Sequence, residues 1–170
     1  MKKLTYVVGC LAIASAAAAF TPSLKAQATD DDKKFLTEAS QSNFDEIQLG
    51  KLAQQKASDP AVKSFGQRMI TDHTKLTEKM KPFASSWGIS DPTGLSPDAQ
   101  KMYDKLQGMS GKDFDKEYIS DMVSDHSKDL SLFEKEVKDT KDVKFKAAVE
   151  QGKSVVAAHK NMAYDLKKKL

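Results

Sequence analysis

The chain has 170 residues, with 27 Lys plus Arg against 24 Asp plus Glu, three histidines and a single cysteine, Cys10. Lys2, Lys3, Lys25 and Cys10 all fall in an N-terminal leader, so the remainder carries 24 charges of each sign and no thiol. That balance excludes the basic footprint of a nucleic-acid or anionic-membrane binder, and it excludes disulfides, a thiolate nucleophile and Cys-x-x-Cys-His haem attachment.

Residues 1–28 read as a secretory signal. Lys2 and Lys3 form the positive end, Leu4 to Phe20 is almost unbroken apolar sequence, and Ala26-Gln27-Ala28 is a small-x-small cleavage site before the acidic run Asp30 to Asp32. A lipoprotein signal through Val7-Val8-Gly9-Cys10 would leave too short an apolar run before the cysteine and a long one after it, so lipid anchoring at Cys10 is not expected. The mature chain, 29–170, is then one exported, periplasmic domain with no membrane-spanning segment after cleavage.

Punctuation along the mature chain predicts an all-α fold. Asp30 to Asp32 cap a first helix running to about Ala57, and Ser58-Asp59-Pro60 closes it and opens a second with proline at the first helical position. The second ends at Trp87-Gly88, where glycine supplies a left-handed stop and Trp87 plugs the helix end. A Ser-, Pro- and Gly-containing connection from Gly88 to Gly111 holds a short helix after Ser96-Pro97. Two more long helices follow, from about Lys112 to Lys138 and from about Asp142 to the C-terminus, where Lys167 to Lys169 form a solvated, dipole-complementing end.

Apolar residues recur in steps of three and four on one stripe of each helix. The second long helix carries Phe65, Met69, His73, Leu76 and Met80; the third carries Ile119, Met122, His126, Leu130, Phe133 and Val137; the last carries Phe145, Val149, Gly152, Val155, His159, Met162 and Leu166. On the first, Phe35, Ala39, Ile47, Leu49, Leu52 and Ala53 mark a broad apolar side with Glu46 beside its centre.

All three histidines therefore sit on buried stripes, where an imidazole needs a hydrogen-bond partner, a metal or a cofactor. Two lie in near-copies of one motif, Met69-Ile70-Thr71-Asp72-His73 and Met122-Val123-Ser124-Asp125-His126. Glu46 and His73 stand 13 residues before and 14 after Asp59, and His126 and His159 flank Thr140 by 14 and 19. In helices about 40 Å long these offsets put all four near mid-bundle, whichever way the second hairpin is turned. The connection from Gly88 to Gly111 is far longer than a hairpin needs, so it predicts a crossover along the bundle that leaves the two motif-bearing helices parallel.

These segments together resemble a known family. Leu49-Gly50-Lys51-Leu52-Ala53, Ala57-Ser58-Asp59-Pro60-Ala61-Val62-Lys63-Ser64-Phe65, the two Asp-His motifs, Asp113-Phe114-Asp115 with Tyr118, and the final His159 are similar to the domain of unknown function 4142 over nearly the whole mature chain. The resemblance implies a ferritin-like four-helix bundle exported in bacteria. It implies no particular reaction, because members of the family mostly have no assigned activity.

Di-iron bundles of ferritin-like fold pair Glu ligands with Glu-x-x-His motifs. Here the residues three before His73, His126 and His159 are Ile70, Val123 and Val156. Asp72 and Asp125 sit about 100° around their helices from the adjacent histidines, which suits flanking or supporting roles, and Asp129 lies one turn after His126 on its face. Met69, Met122 and Met162 each stand one turn from a histidine, a pairing that suits copper(I) or haem, although methionine is also a routine core filler.

The sequence thus leads to an exported ferritin-like four-helix bundle, two helical hairpins joined by a long crossover with a short extra helix. One reading is a non-catalytic envelope or stress-related protein. Its central cluster of Glu46, His73, His126 and His159, supported by Asp72, Asp125 and Asp129, is then a satisfied polar network or a site for iron, copper or zinc. The other reading is a metal-dependent redox enzyme or an oxygen- or peroxide-handling protein using the same residues. The missing Glu-x-x-His motifs favour the first and predict little effect of chelators on stability. A protein partner or homo-oligomer is left open.

Overall fold

The computed structural model describes residues 28–170; Cys10 and almost all of the expected leader lie outside the described residues. The helices are α1 (Asp30–Lys56), α2 (Pro60–Trp87), α3 (Pro97–Gln107), α4 (Gly111–Asp139) and α5 (Val143–Lys167), with no strand among the described residues. None of these helices is long and apolar enough to cross a membrane.

Local chemistry sets the boundaries. Thr29, one residue earlier than the sequence suggests, is the cap of α1: its hydroxyl accepts from Asp32 N while the Asp32 carboxylate accepts from Thr29 N, a reciprocal capping box. Asp59 caps α2 with Pro60 at its first position, and Gly88 ends it at φ 73°, a left-handed conformation that glycine adopts without cost. Ser96 and Asp142 cap α3 and α5 through their side chains.

Contacts between distant residues fix the direction of each helix. Buried Asp115, near the start of α4, accepts from Ser58 N at 3.0 Å, Asp59 N at 2.9 Å and the Ser58 hydroxyl, which ties the α1–α2 turn to that end of the bundle. At the other end Trp87 and Phe83 of α2 pack their rings 4.6 and 5.1 Å from Phe145 of α5. α2 and α4 therefore run in the same direction, and the segment between them traverses the bundle. Gln41 holds Gly94 O at 3.0 Å, Asp45 holds Ser96 N at 3.0 Å and Lys56 holds Gln107 O at 2.9 Å, so the crossover follows α1 with α3 against it and α4. α1 packs on α2 and α4, and α5 on α4 and α2, which sets the parallel pair α2 and α4 on a diagonal.

Backbone proximity locks the first hairpin. A Cβ on Gly50 would meet Gly66 O at 2.9 Å, and one on Gly66 would meet Ala53 Cβ at 2.9 Å, so α1 and α2 touch where both helices lack side chains. The apolar stripe matches the sequence on α2, and on α4 Ile119, Met122, His126 and Phe133 are buried while Leu130 and Val137 are half-buried. On α5 the interior drifts by one position: Val156 and Ala163 are buried, whereas Val155, Met162 and Leu166 are half-buried. With 3.6 residues per turn, Gly152, Val156, His159 and Ala163 form the straighter stripe.

The buried apolar residues form two clusters. One holds Leu49, Met69, Met122 and Ala163 with their neighbours, and the other holds Ala39, Met80, Phe133 and Val156 with theirs. On every long helix the gap between the clusters falls at the same level. There lie Asn43 and Glu46 of α1, His73 of α2, His126 of α4 and His159 of α5, all buried.

Candidate metal centre

The three imidazoles meet in this polar layer, each offering a nitrogen so that the three atoms lie within 4.8 Å of one another. Ring centroids are 5.1 Å apart for His73 and His159, 5.4 Å for His126 and His159, and 5.7 Å for His73 and His126.

Burial decides their charge. It pushes His73 down to about 4 against the pull of Asp129 and Asp72, and it pushes His159 to about 4 with help from His73. Burial likewise lowers His126, and nearby Glu46 only partly opposes it. At neutral pH each ring is therefore an uncharged imidazole with one N–H and one lone pair.

Two supporting groups can only accept and so place a proton: His126 Nδ1 donates to Met122 O at 2.9 Å and His159 Nε2 donates to Asp72 Oδ2 at 3.1 Å. His73 Nδ1 lies 2.8 Å from the side-chain amide of Asn43. The other nitrogens of these two rings, His126 Nε2 and His159 Nδ1, carry lone pairs, and His73 Nε2 faces His159 Nδ1 at 3.2 Å.

Glu46 completes the crowding. Its Oε2 lies 2.7 Å from His73 Nε2 and its Oε1 3.2 Å from His126 Nδ1. Neither contact has hydrogen-bond direction, so both carboxylate oxygens, like His126 Nε2, are buried without a partner. Burial pushes Glu46 up to about 7, with Asp125 and Asp45 adding to the effect and His126 opposing it. The three imidazoles are the group spaced for a cation: ligands at about 2.0–2.1 Å in a tetrahedral array stand roughly 3.3 Å apart, close to the 3.2 Å between His73 Nε2 and His159 Nδ1, and Glu46 Oε2 stands beside them, 2.7 Å from His73 Nε2. Outward hydrogen bonds of the kind made by His126 to Met122 O and by His159 to Asp72 are the ones metal sites use to fix the tautomer and orientation of an imidazole.

The expected supporting residues behave differently from one another. Asp72, from the motif around His73, supports His159 instead, and it also accepts from Arg68 Nε at 3.1 Å. Asp125 pairs with Lys128 at 2.8 Å and Asp129 with the Ser42 hydroxyl, so neither carboxylate contacts an imidazole. Both line a cleft between α1, α3 and α4. Burial and neighbouring acids push Asp121 and Asp129 in that cleft up to about 7. Met69 and Met122 are packed in the apolar cluster beside the layer, as core fillers are. Asn43 was not among the expected residues. Its signal was available: it lies four after Ala39 and three before Glu46, on the same face of α1.

Residues 17–166 match the family described as Domain of unknown function (DUF4142). The chain belongs to this family. No curated protein matches the DUF4142 chain. Among solved structures it is similar to a DUF305 fragment from Deinococcus radiodurans, at 12% identity and a TM-score of 0.73, covering 84% of this chain and 99% of that one. It is also similar to CopM in its Cu(II)-bound form, at 20% identity and a TM-score of 0.69, covering 84% of this chain and 98% of that one. At these identities the likeness is one of fold, a helical bundle shared by all three.

Proposed function

We propose that this DUF4142 bundle is an exported, non-catalytic metal-binding protein. It takes one late first-row divalent cation at His73, His126 and His159, with Glu46 as the fourth ligand. The observation that carries this reading is geometric: three buried imidazoles bring nitrogens within 4.8 Å of one another, and His126 Nε2 and both Glu46 carboxylate oxygens are buried beside them without a hydrogen-bond partner. A satisfied polar network would leave no buried acceptor alone. Here His126 Nε2 and both Glu46 oxygens have no partner.

Imidazole with one carboxylate suits copper(II) or zinc, and copper binds tightest in the ordinary affinity order. The fold likeness to a protein solved in its Cu(II)-bound form is consistent with testing copper first. Four protein ligands close a tetrahedral site, and closed sites hold metal where catalytic ones keep a position open. Holding or passing on a cation in the periplasm therefore fits better than oxygen or peroxide chemistry, and the neutral, thiol-free mature chain suits such a compartment.

Chelator-stripped mature protein titrated with Cu(II) tests this. The expected result is one equivalent bound, with an electron paramagnetic resonance spectrum split by imidazole nitrogens, and loss of that signal in His126→Gln and in the triple His→Ala protein. Copper binding that survives both substitutions, with folding verified by circular dichroism, defeats the reading.

A further inference from the structure

The polar layer has two outward sides, and they differ in charge. On the α2–α5 side, Asp72 is held between His159 Nε2 and Arg68 Nε, each at 3.1 Å, so that side closes on an ion pair carrying a guanidinium. On the α1–α4 side, a cleft of about 500 Å³ opens between α1, α3 and α4. Seven of its lining residues are carboxylic acids, Asp98, Asp121, Asp125 and Asp129 among them, against one cation, Lys128. Glu46 lines this cleft as well, 3% exposed and with neither oxygen hydrogen-bonded. The same carboxylate reaches His73 and His126 on its other side.

We propose that this acidic cleft is the route by which a hydrated divalent cation enters and leaves the histidine centre, with Glu46 as the transfer ligand between cleft and imidazoles. The inference rests on the metal-binding reading above and adds a side, a path and a residue to it. Physical reasons favour this side. A cleft of one sign with protein walls focuses the field and raises the local concentration of the opposite charge, speeding association by about 10- to 1000-fold. Carboxylate oxygens replace water around a hard, hydrated ion before nitrogen donors strip it further. The opposite side offers the ion a guanidinium.

Stopped-flow uptake of Cu(II) by the metal-free mature protein separates the possibilities. The double variant Asp98→Asn/Asp125→Asn removes two cleft charges, Ala99→Trp narrows the same cleft, and Asp165→Asn removes one charge from the lower α2–α5 groove as a control. The double variant is expected to associate at least tenfold more slowly than wild type at low salt, with a flatter dependence on ionic strength. Ala99→Trp is expected to slow association and release together, leaving equilibrium affinity within about twofold. Asp165→Asn is expected to match wild type. Cleft variants that load as fast as the control overturn the route while leaving the site intact. A loss of stoichiometry in the double variant overturns it too, because those acids would then be ligands. Wild type that takes up no copper defeats the metal-binding reading itself, a different outcome from either.

Discussion

Replacing Glu46 by glutamine should make the metal-free protein more stable and the metal-bound protein less so. In the absence of a cation the Glu46 carboxylate is buried beside His73 Nε2 and His126 Nδ1 with no hydrogen-bond partner, and burial raises it from 4.5 to about 7. A shift of that size corresponds to about 3 kcal/mol of differential cost for the ionised form. The raised folded-state value means that the protonated form favours folding. This contribution is therefore fully present below about 4.5, the unfolded value, and is lost as pH rises through about 7. The amide of glutamine carries no charge, so Glu46→Gln should gain up to about 3 kcal/mol over wild type at pH 8 and progressively less toward pH 5. That is a large share of a total stability of about 5–15 kcal/mol, and urea unfolding in excess chelator resolves it easily. Added Cu(II) should reverse the order, since a ligand at a hundredfold excess over its dissociation constant stabilises by about 2.7 kcal/mol and the amide is the poorer ligand. If the glutamine variant is no more stable than wild type at pH 8 in chelator, Glu46 has a partner after all and the argument from its crowding fails. The same logic changes the expectation drawn from the missing Glu-x-x-His motifs: chelation of copper-loaded wild type should lower its melting temperature by several degrees.

Three further outcomes follow from particular contacts. Asp72→Ala should fold but bind Cu(II) about 10- to 100-fold more weakly, because His159 loses the acceptor that fixes its tautomer, and calorimetric titration reads this directly. Gly152→Ala should cost about 1–3 kcal/mol in urea unfolding, because the new Cβ lands on the Phe133 ring. At the far end of the bundle, burial and the neighbouring Asp32 push Glu136 up to about 7. Its contribution is thus present below its unfolded value and fades as pH rises toward 7 and beyond, so the stability difference between wild type and Glu136→Gln should change steadily across that window.

Much of this molecule is legible in its sequence because its punctuation is local. Pro60 and Gly88 act through their own backbone and Ser96 and Asp142 through side chains that reach the next turn, and each begins or ends a helix where the residue type demands. The crossover is legible from length alone, and the common height of Glu46, His73, His126 and His159 follows from their distances to two turns. What the sequence hides depends on the angle around a helix. One position of drift on α5 exchanges Val155 for Val156, because a stripe drawn in threes and fours fits either over two turns. The step of about 100° gives Asp72 and Asp125 flanking places from sequence alone, but the partner each meets, His159 for Asp72 and Lys128 for Asp125, depends on how the helices pack.

That angular step also explains how two copies of one motif produce a site with an inside and an entrance. α2 and α4 run parallel on a diagonal, each carrying Asp-His at the same level, so in each the aspartate is turned toward a helix from the other hairpin. For Asp72 that helix is α5, where it meets the N–H of His159 and makes a hydrogen bond that closes the side. For Asp125 it is α1, which presents Glu46 at that level; burial raises Glu46 and the like charge of Asp125 adds to it, and no hydrogen bond joins the two. Asp125 turns to Lys128 instead, and the space between α1 and α4 stays open as an acidic cleft. The single difference between a histidine on α5 and a glutamate on α1 thus converts a near-symmetric bundle into one with a sealed face and a cation-attracting face. Exchanging it by Glu46→His should close the cleft from within: Asp125 gains an imidazole to bond, and copper loading should slow even though the donor count is unchanged. Loading as fast as wild type would show that the asymmetry of the two motifs has no part in access.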